Sequence, residues 1–405
     1  MHFYVDESGH TGLNLFDAEQ PLLYYGCLSS HLSLDHEAVD RLEHMRAKVG
    51  ASRLHANQLG NGGLAVIAQD LADLQRSFGL RFSVYRVAKP DHAIICFFDQ
   101  VFDSAMNPAI TWTGYWTPLR YLLLIKLAGL FNEDLAKLAW QSRVEVNAPR
   151  AQEMLMRVCD GLIARVPRLP DERSRTLIGD SLNWARNHPA EISFNVDDRK
   201  SALQVAPNIV GFQLVMMGIA SQIREAGALA SRIVVDRQSQ FNKAQRTLAD
   251  FYAAAGAQSI EMKAPPGMPA MNFGGMPTVP IEFSGGTMSA GLEVTDVYLW
   301  ILKRLMEGDD VAAQLGPLVR ELLPRVVTDE VSLNGIATRW SRWMRELPEL
   351  AEMSEEQRQR GREILQLDEN RRLRRLADDP SLANAALSSV KTGNAKGTPG
   401  TPDTP

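Results

Sequence analysis

Acidic residues stand at the ends of two apolar runs and on one apolar helical segment of this 405-residue sequence. Asp6 and Glu7 follow a short β-prone run, and Asp236 follows three β-branched residues, so we expect two strands that end in carboxylates. Glu293 and Asp296 are three residues apart in a helical pattern and therefore share a helix face. Because binding sites in α/β sheets form where strands end, these acids could converge there.

Carboxylates that lie together repel one another unless a cation neutralises them. Mg²⁺ and Mn²⁺ prefer such oxygen ligands, and two ions about 3.5–4 Å apart can activate water and stabilise the leaving oxygen of a phosphodiester. We therefore predict metal-dependent phosphodiester hydrolysis, with Asp6, Asp236 and Asp296 as metal ligands. Glu7 and Glu293 are candidates for binding a second ion or for positioning water.

Each acid also has a purely structural interpretation. Asp6 and Glu7 begin an Asp-Glu-Ser-Gly run that could simply turn the chain, and Asp236 could cap the following helix. Asp296 lies among apolar residues, where a buried acid needs a partner, and Glu293 could lie on a solvated helix face. The combination of three acidic segments favours a functional site.

Composition narrows the classes of protein further. The formal net charge is −5 and the pI is near 6.0, which argues against a protein that wraps duplex nucleic acid but not against a nuclease with a local basic groove. Three widely spaced cysteines supply neither a disulfide framework nor a zinc ligand set, so we expect a reducing, cytoplasmic compartment. The sequence has no Walker phosphate loop and no His-Glu-x-x-His motif.

No segment predicts membrane insertion. The sequence opens on strand-like residues rather than on a charged leader with an apolar signal core. The most apolar run, 121–131, is short and contains Lys126, so we expect a buried helix and no membrane partner.

Alternation and helical periodicity predict how the chain is organised. We expect strands over 2–5, 22–28, 81–87, 233–235 and 279–283, and amphipathic helices over 38–49, 64–78, 241–255 and 289–306. Residues 264–278, rich in proline, glycine and methionine, predict a mobile loop that could close over substrate. The expected regions are a first part of an α/β core at 1–90, a helical insertion at 91–228, a second part of the core at 229–308, a C-terminal helical region at 309–380 and a disordered tail at 381–405.

The three acidic segments together resemble a large bacterial domain-of-unknown-function family, numbered 3800. Its Tyr-Val-Asp-Glu-Ser-Gly opening matches Asp6 and Glu7, its late strand acid matches Asp236, and the acid of its Gly-Leu-x-x-x-Asp helix matches Asp296. The resemblance covers about residues 1–306 and implies an RNase H-like fold in a presumed nuclease group, whose members occur near mobile elements and phage-defence genes.

Two departures from that family concern the number of metal ions. Glu293 stands where members commonly carry glutamine, which adds negative charge. Many members carry a Glu-apolar-Lys or Glu-apolar-His stretch after the first helix, where this chain reads Arg53-Leu54-His55. The histidine matches and the acid is missing, so either His55 orients the substrate or one ion binds less tightly than in relatives.

The sequence thus predicts an α/β protein, a mixed RNase H-like sheet with a large helical insertion and a C-terminal helical extension. The leading function is a Mg²⁺- or Mn²⁺-dependent nuclease acting on RNA or DNA. One alternative is a catalytically inactive adaptor that docks a protein through the insertion or through the charged helix that begins near Ser354. Another is a phosphohydrolase of small nucleotides, which the modest negative charge would suit.

Overall fold

The strands of the described residues form one six-stranded sheet and one two-stranded antiparallel sheet. The computed structural model describes residues 1–10, 12–192, 196, 198–238, 240–258, 261–262, 271–347, 349 and 352–378. The strands are β1 (His2–Ser8), β2 (Leu22–Ser30), β3 (Arg81–Ala88), β4 (Arg232–Asp236), β5 (Glu261–Met262), β6 (Met271–Asn272), β7 (Ile281–Ser284) and β8 (Val327–Val331).

Helices make up most of the remaining chain. They are α1 (Leu34–Glu37), α2 (Val39–Val49), α3 (Ala56–Val66), α4 (Ala68–Phe78), α5 (Lys89–Val101), α6 (Trp112–Trp116), α7 (Leu119–Ala128), α8 (Glu133–Val144), α9 (Ala148–Ile163), α10 (Glu172–Asn187), α11 (Arg199–Ala202), α12 (Pro207–Ala226), α13 (Asn242–Ala257), α14 (Ala290–Glu307), α15 (Gly316–Leu322), α16 (Leu333–Glu346) and α17 (Glu355–Ala377). The expected capping box is present, since Ser354 and Gln357 bond each other's backbone N–H at the start of α17.

The main sheet has the strand order β7-β4-β1-β2-β3-β8. Strands β1, β2 and β3 form an antiparallel meander, while β4 runs parallel to β1 and β7 runs parallel to β4. The predicted α/β class with a mixed sheet is therefore confirmed.

Alternation along the strands gives the sheet two buried faces. Tyr4 and Val234 belong to the core beneath α14, whereas Phe3, Val5 and Val235 belong to the core beneath α12 and α13. Because successive side chains of a strand point to opposite faces, a residue's position in the strand decides which helices it meets. This alternation governs where the acids at the strand ends point.

Close packing sets the position of α14 along β1. Any Cβ at Gly291 would overlap the ring of Tyr4, so only glycine lets the helix approach this closely. Further along the same helix, Leu299 packs beside Gly26 of β2, and Lys303 reaches Ser8 at the end of β1. The helix therefore runs along β1 and carries its acids toward the end of that strand.

Contacts divide the chain into two compact units, and their boundaries differ from the expected ones. Of the described residues, the first unit holds 1–92, 198–262 and 271–335, and the second holds 93–192, 196 and 336–378. The expected insertion at 91–228 therefore extends too far, because the apolar side of α12 packs on the sheet. The expected all-helical region at 309–380 is also wrong in its first part, where β8 pairs with β3.

The polarity of β8 explains why the sequence pattern does not predict this strand. Its sequence, Val-Thr-Asp-Glu-Val, is largely exposed at the edge of the sheet and lacks the apolar alternation that indicates a half-buried strand. Strand β1 also extends three residues beyond the expected end at Val5, because β2 continues to pair with it. The expected 64–78 helix is interrupted at Ile67, where α3 ends and α4 begins.

The second unit has a core of its own with one fully buried charged side chain. Arg372 of α17 is 1% exposed and bonds Asp180 and Glu369. Asp368 accepts hydrogen bonds from the backbone N–H groups of Trp112 and Thr113. Helix α17, the charged helix predicted as a docking surface, therefore already uses Asp368 and Arg372 in hydrogen bonds within the second unit.

Two sequence expectations fall wholly or partly outside the described residues. The expected tail lies there, as does the centre of the expected loop, whereas Phe273 and Met276 are buried against the sheet. In the described part of the chain, no helix has both the length and the apolar character needed to cross a membrane.

Candidate functional site

Two of the predicted acids emerge side by side from neighbouring parallel strands. Val5 of β1 is paired with Val235 of β4, and each strand continues into an aspartate. Asp6 follows the alternation of Tyr4, and Asp236 follows that of Val234, so both carboxylates lie on the α14 face of the sheet. Asp6 is 7% exposed, which makes it a buried acid at the edge of the site.

Asp296 joins this pair from α14. Its Oδ2 accepts a hydrogen bond of 2.7 Å from the backbone N–H of Ala56 and lies 3.1 Å from Nδ1 of His55. His55 is the residue immediately before α3, with an extended backbone. The structure therefore brings Asp6, Asp236, Asp296 and His55 together, and it pairs His55 with an acid.

The electrostatics indicate a concentration of negative charge. Burial, followed by the charges of Asp236 and Asp296, raises the pKa of Asp6 well above its ordinary value. Burial also raises the pKa of Asp236, and hydrogen bonds from backbone N–H groups and the charge of Arg53 oppose this rise. The aspartates are therefore close enough to repel one another, and a cation would stabilise their ionised forms.

Glu7 lies on the other face of the sheet. It is directly opposite Tyr25 of β2, whose hydroxyl donates to the carbonyl of Asn208 on the α12 side. Its Oε2 is buried and has no hydrogen-bond partner, and burial, followed by the charges of Asp6 and Asp236, raises its pKa well above the ordinary value. The charges of Asp6 and Asp236 therefore act on Glu7, although its side chain lies on the opposite face of the sheet.

Glu293 already uses both carboxylate oxygens. Arg46 of α2 donates to each of them, and the backbone N–H of Leu54 donates to Oε2 over 2.7 Å. The glutamate side chain is 1% exposed. These hydrogen bonds indicate that Glu293 holds the segment preceding α3 against α14.

Replacing Glu293 with alanine is expected to lower the free energy of unfolding by about 3 kcal/mol, since it leaves Arg46 and the Leu54 N–H without their partner. Urea denaturation measures the change, with Glu43→Ala on the exposed face of α2 as the control. A Glu293→Ala protein that keeps its stability but loses affinity for Mn²⁺ would instead make Glu293 a metal ligand.

The donors suit a divalent cation, although no closed ligand set is formed. The buried aspartates with raised pKa values are the oxygen chemistry that Mg²⁺ and Mn²⁺ bind. Within the described residues, no three histidine, cysteine, aspartate or glutamate side chains are grouped closely enough to hold an ion. The aspartates therefore fit an ion by their chemistry and not as a preformed cage.

Several polar side chains at this edge were not singled out as functional from the sequence. Lys303 donates to Ser8 over 3.3 Å and lies over the ring of Tyr24, while His10 lies 3.2 Å from the Asn208 amide oxygen. Lys303 lies ten residues beyond Glu293, in the same helical pattern, which was the available signal. His10 and Asn208 come together only in the folded chain, so their spacing carries no signal.

Comparisons of this chain with family models, with curated proteins and with solved structures gave no match.

Proposed function

We propose that the protein is a metal-dependent phosphodiesterase with an RNase H-like sheet that cleaves nucleic acid. The observation that carries this proposal is the convergence of Asp6, Asp236 and Asp296 on one face at the end of the two central parallel strands. An antiparallel β1-β2-β3 meander followed by parallel β4 and β7 supports the RNase H-like assignment. Membership of the bacterial family numbered 3800, and a role in phage defence or mobile elements, are proposed on the three acidic motifs.

Mg²⁺ or Mn²⁺ bound here would polarise the phosphate and help to ionise water. Asp6 and Asp236 would hold the ion from the strand ends, and Asp296 would hold it from α14. His55 orients the Asp296 carboxylate through its Nδ1 contact, and the backbone N–H of Ala56 fixes the same oxygen. Lys303, beside Ser8 at the end of β1, supplies a positive charge for the phosphate backbone.

The substrate class follows from charge. A net charge of −5 opposes tight, non-specific binding of long duplexes, so we propose a single-stranded or short nucleic acid as the preferred substrate. Cleavage by the purified protein would be measured on labelled single-stranded RNA, single-stranded DNA, duplexes, hybrids and dinucleotides, with Mn²⁺, Mg²⁺ or chelator. Metal-dependent cleavage of a polymer supports the proposal, whereas activity on dinucleotides alone selects the small-nucleotide phosphohydrolase.

An inactive adaptor is the second candidate, and the hydrogen bonding of Asp296 favours it. One oxygen of that carboxylate already accepts a backbone hydrogen bond and faces His55, and the described residues hold no preformed metal cage. Calorimetry with Mn²⁺ separates the two candidates. An absence of heat, together with an absence of cleavage, would select the adaptor.

A further inference from the structure

The chain holds Arg53 firmly at the edge of the site. The backbone N–H of Leu54 bonds Glu293, and that of Ala56 bonds Asp296, so the residues after Arg53 are attached to α14 at two points. This attachment fixes the direction in which the arginine leaves the backbone. Arg53 stands at the position where many members of the family that the sequence resembles carry a glutamate.

A glycine places the Arg53 guanidinium next to Asp236. Any Cβ at Gly286 would collide with Nη2 of Arg53, so the guanidinium rests directly on the Gly286 backbone. Gly286 lies two residues beyond Ser284, which pairs with Asp236 in the sheet, and its backbone lowers the pKa of the Asp236 carboxyl. The Arg53 Nε is buried and has no hydrogen-bond partner. Arg53 is therefore half-buried near Asp236, and its Nε has donor capacity still unused.

The charge of Arg53 reaches the aspartates as well. It lowers the pKa of both Asp6 and Asp236, against the larger effect of burial. When the three aspartates ionise to bind metal, Arg53 and Lys303 at this edge offset two of their three negative charges. One divalent ion is enough to neutralise the remaining charge, whereas a second ion would leave a large excess of positive charge.

We propose that Arg53 is a built-in cation of this site, in place of one of the two metal ions, and that its guanidinium binds a phosphate oxygen of the substrate. This inference rests on the proposed function and specifies that the site takes a single divalent ion. The planar, permanently charged guanidinium suits this task, because it can donate two hydrogen bonds to a phosphate while keeping its charge beside Asp6 and Asp236.

Metal stoichiometry and metal-free stability test the inference on the full chain. Mn²⁺ would be titrated calorimetrically into the wild type, Arg53→Gln, Arg53→Lys and Arg53→Glu, with the exposed Arg81→Gln as the control. We expect one ion in the wild type, the control and Arg53→Lys, and a second ion in Arg53→Glu. Arg53→Gln should have a lower Tm in chelator, because the aspartates lose their cation, and Mn²⁺ should restore it.

Cleavage adds a second readout. Arg53→Gln should lower kcat/KM by about 10²-fold, as expected for the loss of one fixed charge at a reacting phosphate, and Arg53→Lys should recover part of that loss. Gly286→Ala keeps every charge but displaces the guanidinium, so it should behave like Arg53→Gln.

The outcomes separate this inference from the proposed function. Two Mn²⁺ ions bound to the wild type would overturn the inference and leave the phosphodiesterase standing. An Arg53→Gln protein destabilised equally with and without Mn²⁺ would also overturn it, since the arginine would then act in packing alone. Absence of Mn²⁺ binding in every protein would overturn the proposed function itself.

Discussion

Asp6→Asn and Asp236→Asn are each expected to lower metal-dependent cleavage by about 10³-fold, with little loss of folded protein. Asparagine keeps the shape of the side chain but removes the charge on which cation binding depends. Both side chains lie on the α14 face near the ends of β1 and β4, so each substitution weakens the binding of the same ion. Initial rates with Mn²⁺ on the preferred polymer measure the effect, together with Mn²⁺ affinity by calorimetry.

The control for this pair is Asp40→Asn on α2, an exposed aspartate of the same unit, which should cleave like the wild type. The double variant Asp6→Asn/Asp236→Asn should be little worse than either single variant, because the two acids act on one ion. Full activity of either single variant would remove that aspartate from the site. Losses that multiply in the double variant would mean that the two acids act independently.

The metal-free protein is expected to lose stability as the pH rises. Burial and neighbouring acids hold the pKa of Asp6 and of Glu7 well above their ordinary values in the folded protein. The folded state therefore binds these protons more tightly than the unfolded chain, whose carboxyls titrate at about pH 4. Their stabilising effect is complete below the unfolded pKa and is lost as the pH rises through the folded pKa.

Thermal unfolding in chelator between pH 5 and 8 measures this dependence. Other groups act in the opposite direction: burial raises the pKa of Glu369, but hydrogen bonds from Arg372 and Arg173 outweigh it and hold the pKa at about 2. The difference in Tm between Asp6→Asn and the wild type isolates the contribution of Asp6. The Tm of Asp6→Asn should rise relative to that of the wild type as the pH increases. Mn²⁺ should reduce this difference, and parallel curves for the two proteins would contradict the prediction.

The sequence alone was enough to predict that acids lie near the ends of β1 and β4 and that Glu293 and Asp296 share a face of α14, because these features depend on local alternation and helical spacing. For the same reason the α/β class, five of the six strands of the main sheet and the capped α17 helix could be predicted. Local patterns record which side of an element is apolar and where the element ends.

The tertiary structure decided which acids meet. Register and alternation place Glu7 on the face opposite Asp6. Glu293 of α14 accepts hydrogen bonds from Arg46 of α2. The face of Glu7 follows from alternation only because pairing with β2 extends β1 to Ser8, and the partners Arg46 and Glu293 are far apart in sequence. The same holds for α12 and β8, whose place in the first unit depends on contacts with distant strands.

Arg53 is the clearest case of this division. From the sequence it marks the place of a missing acid, which leaves the number of metal ions open. In the folded protein two hydrogen bonds to α14 and the absence of a side chain at Gly286 direct its guanidinium toward Asp236. The sequence determined which charged groups this protein has at its strand ends, whereas only long-range packing decided which of them compensate one another, because charges interact through space rather than along the chain.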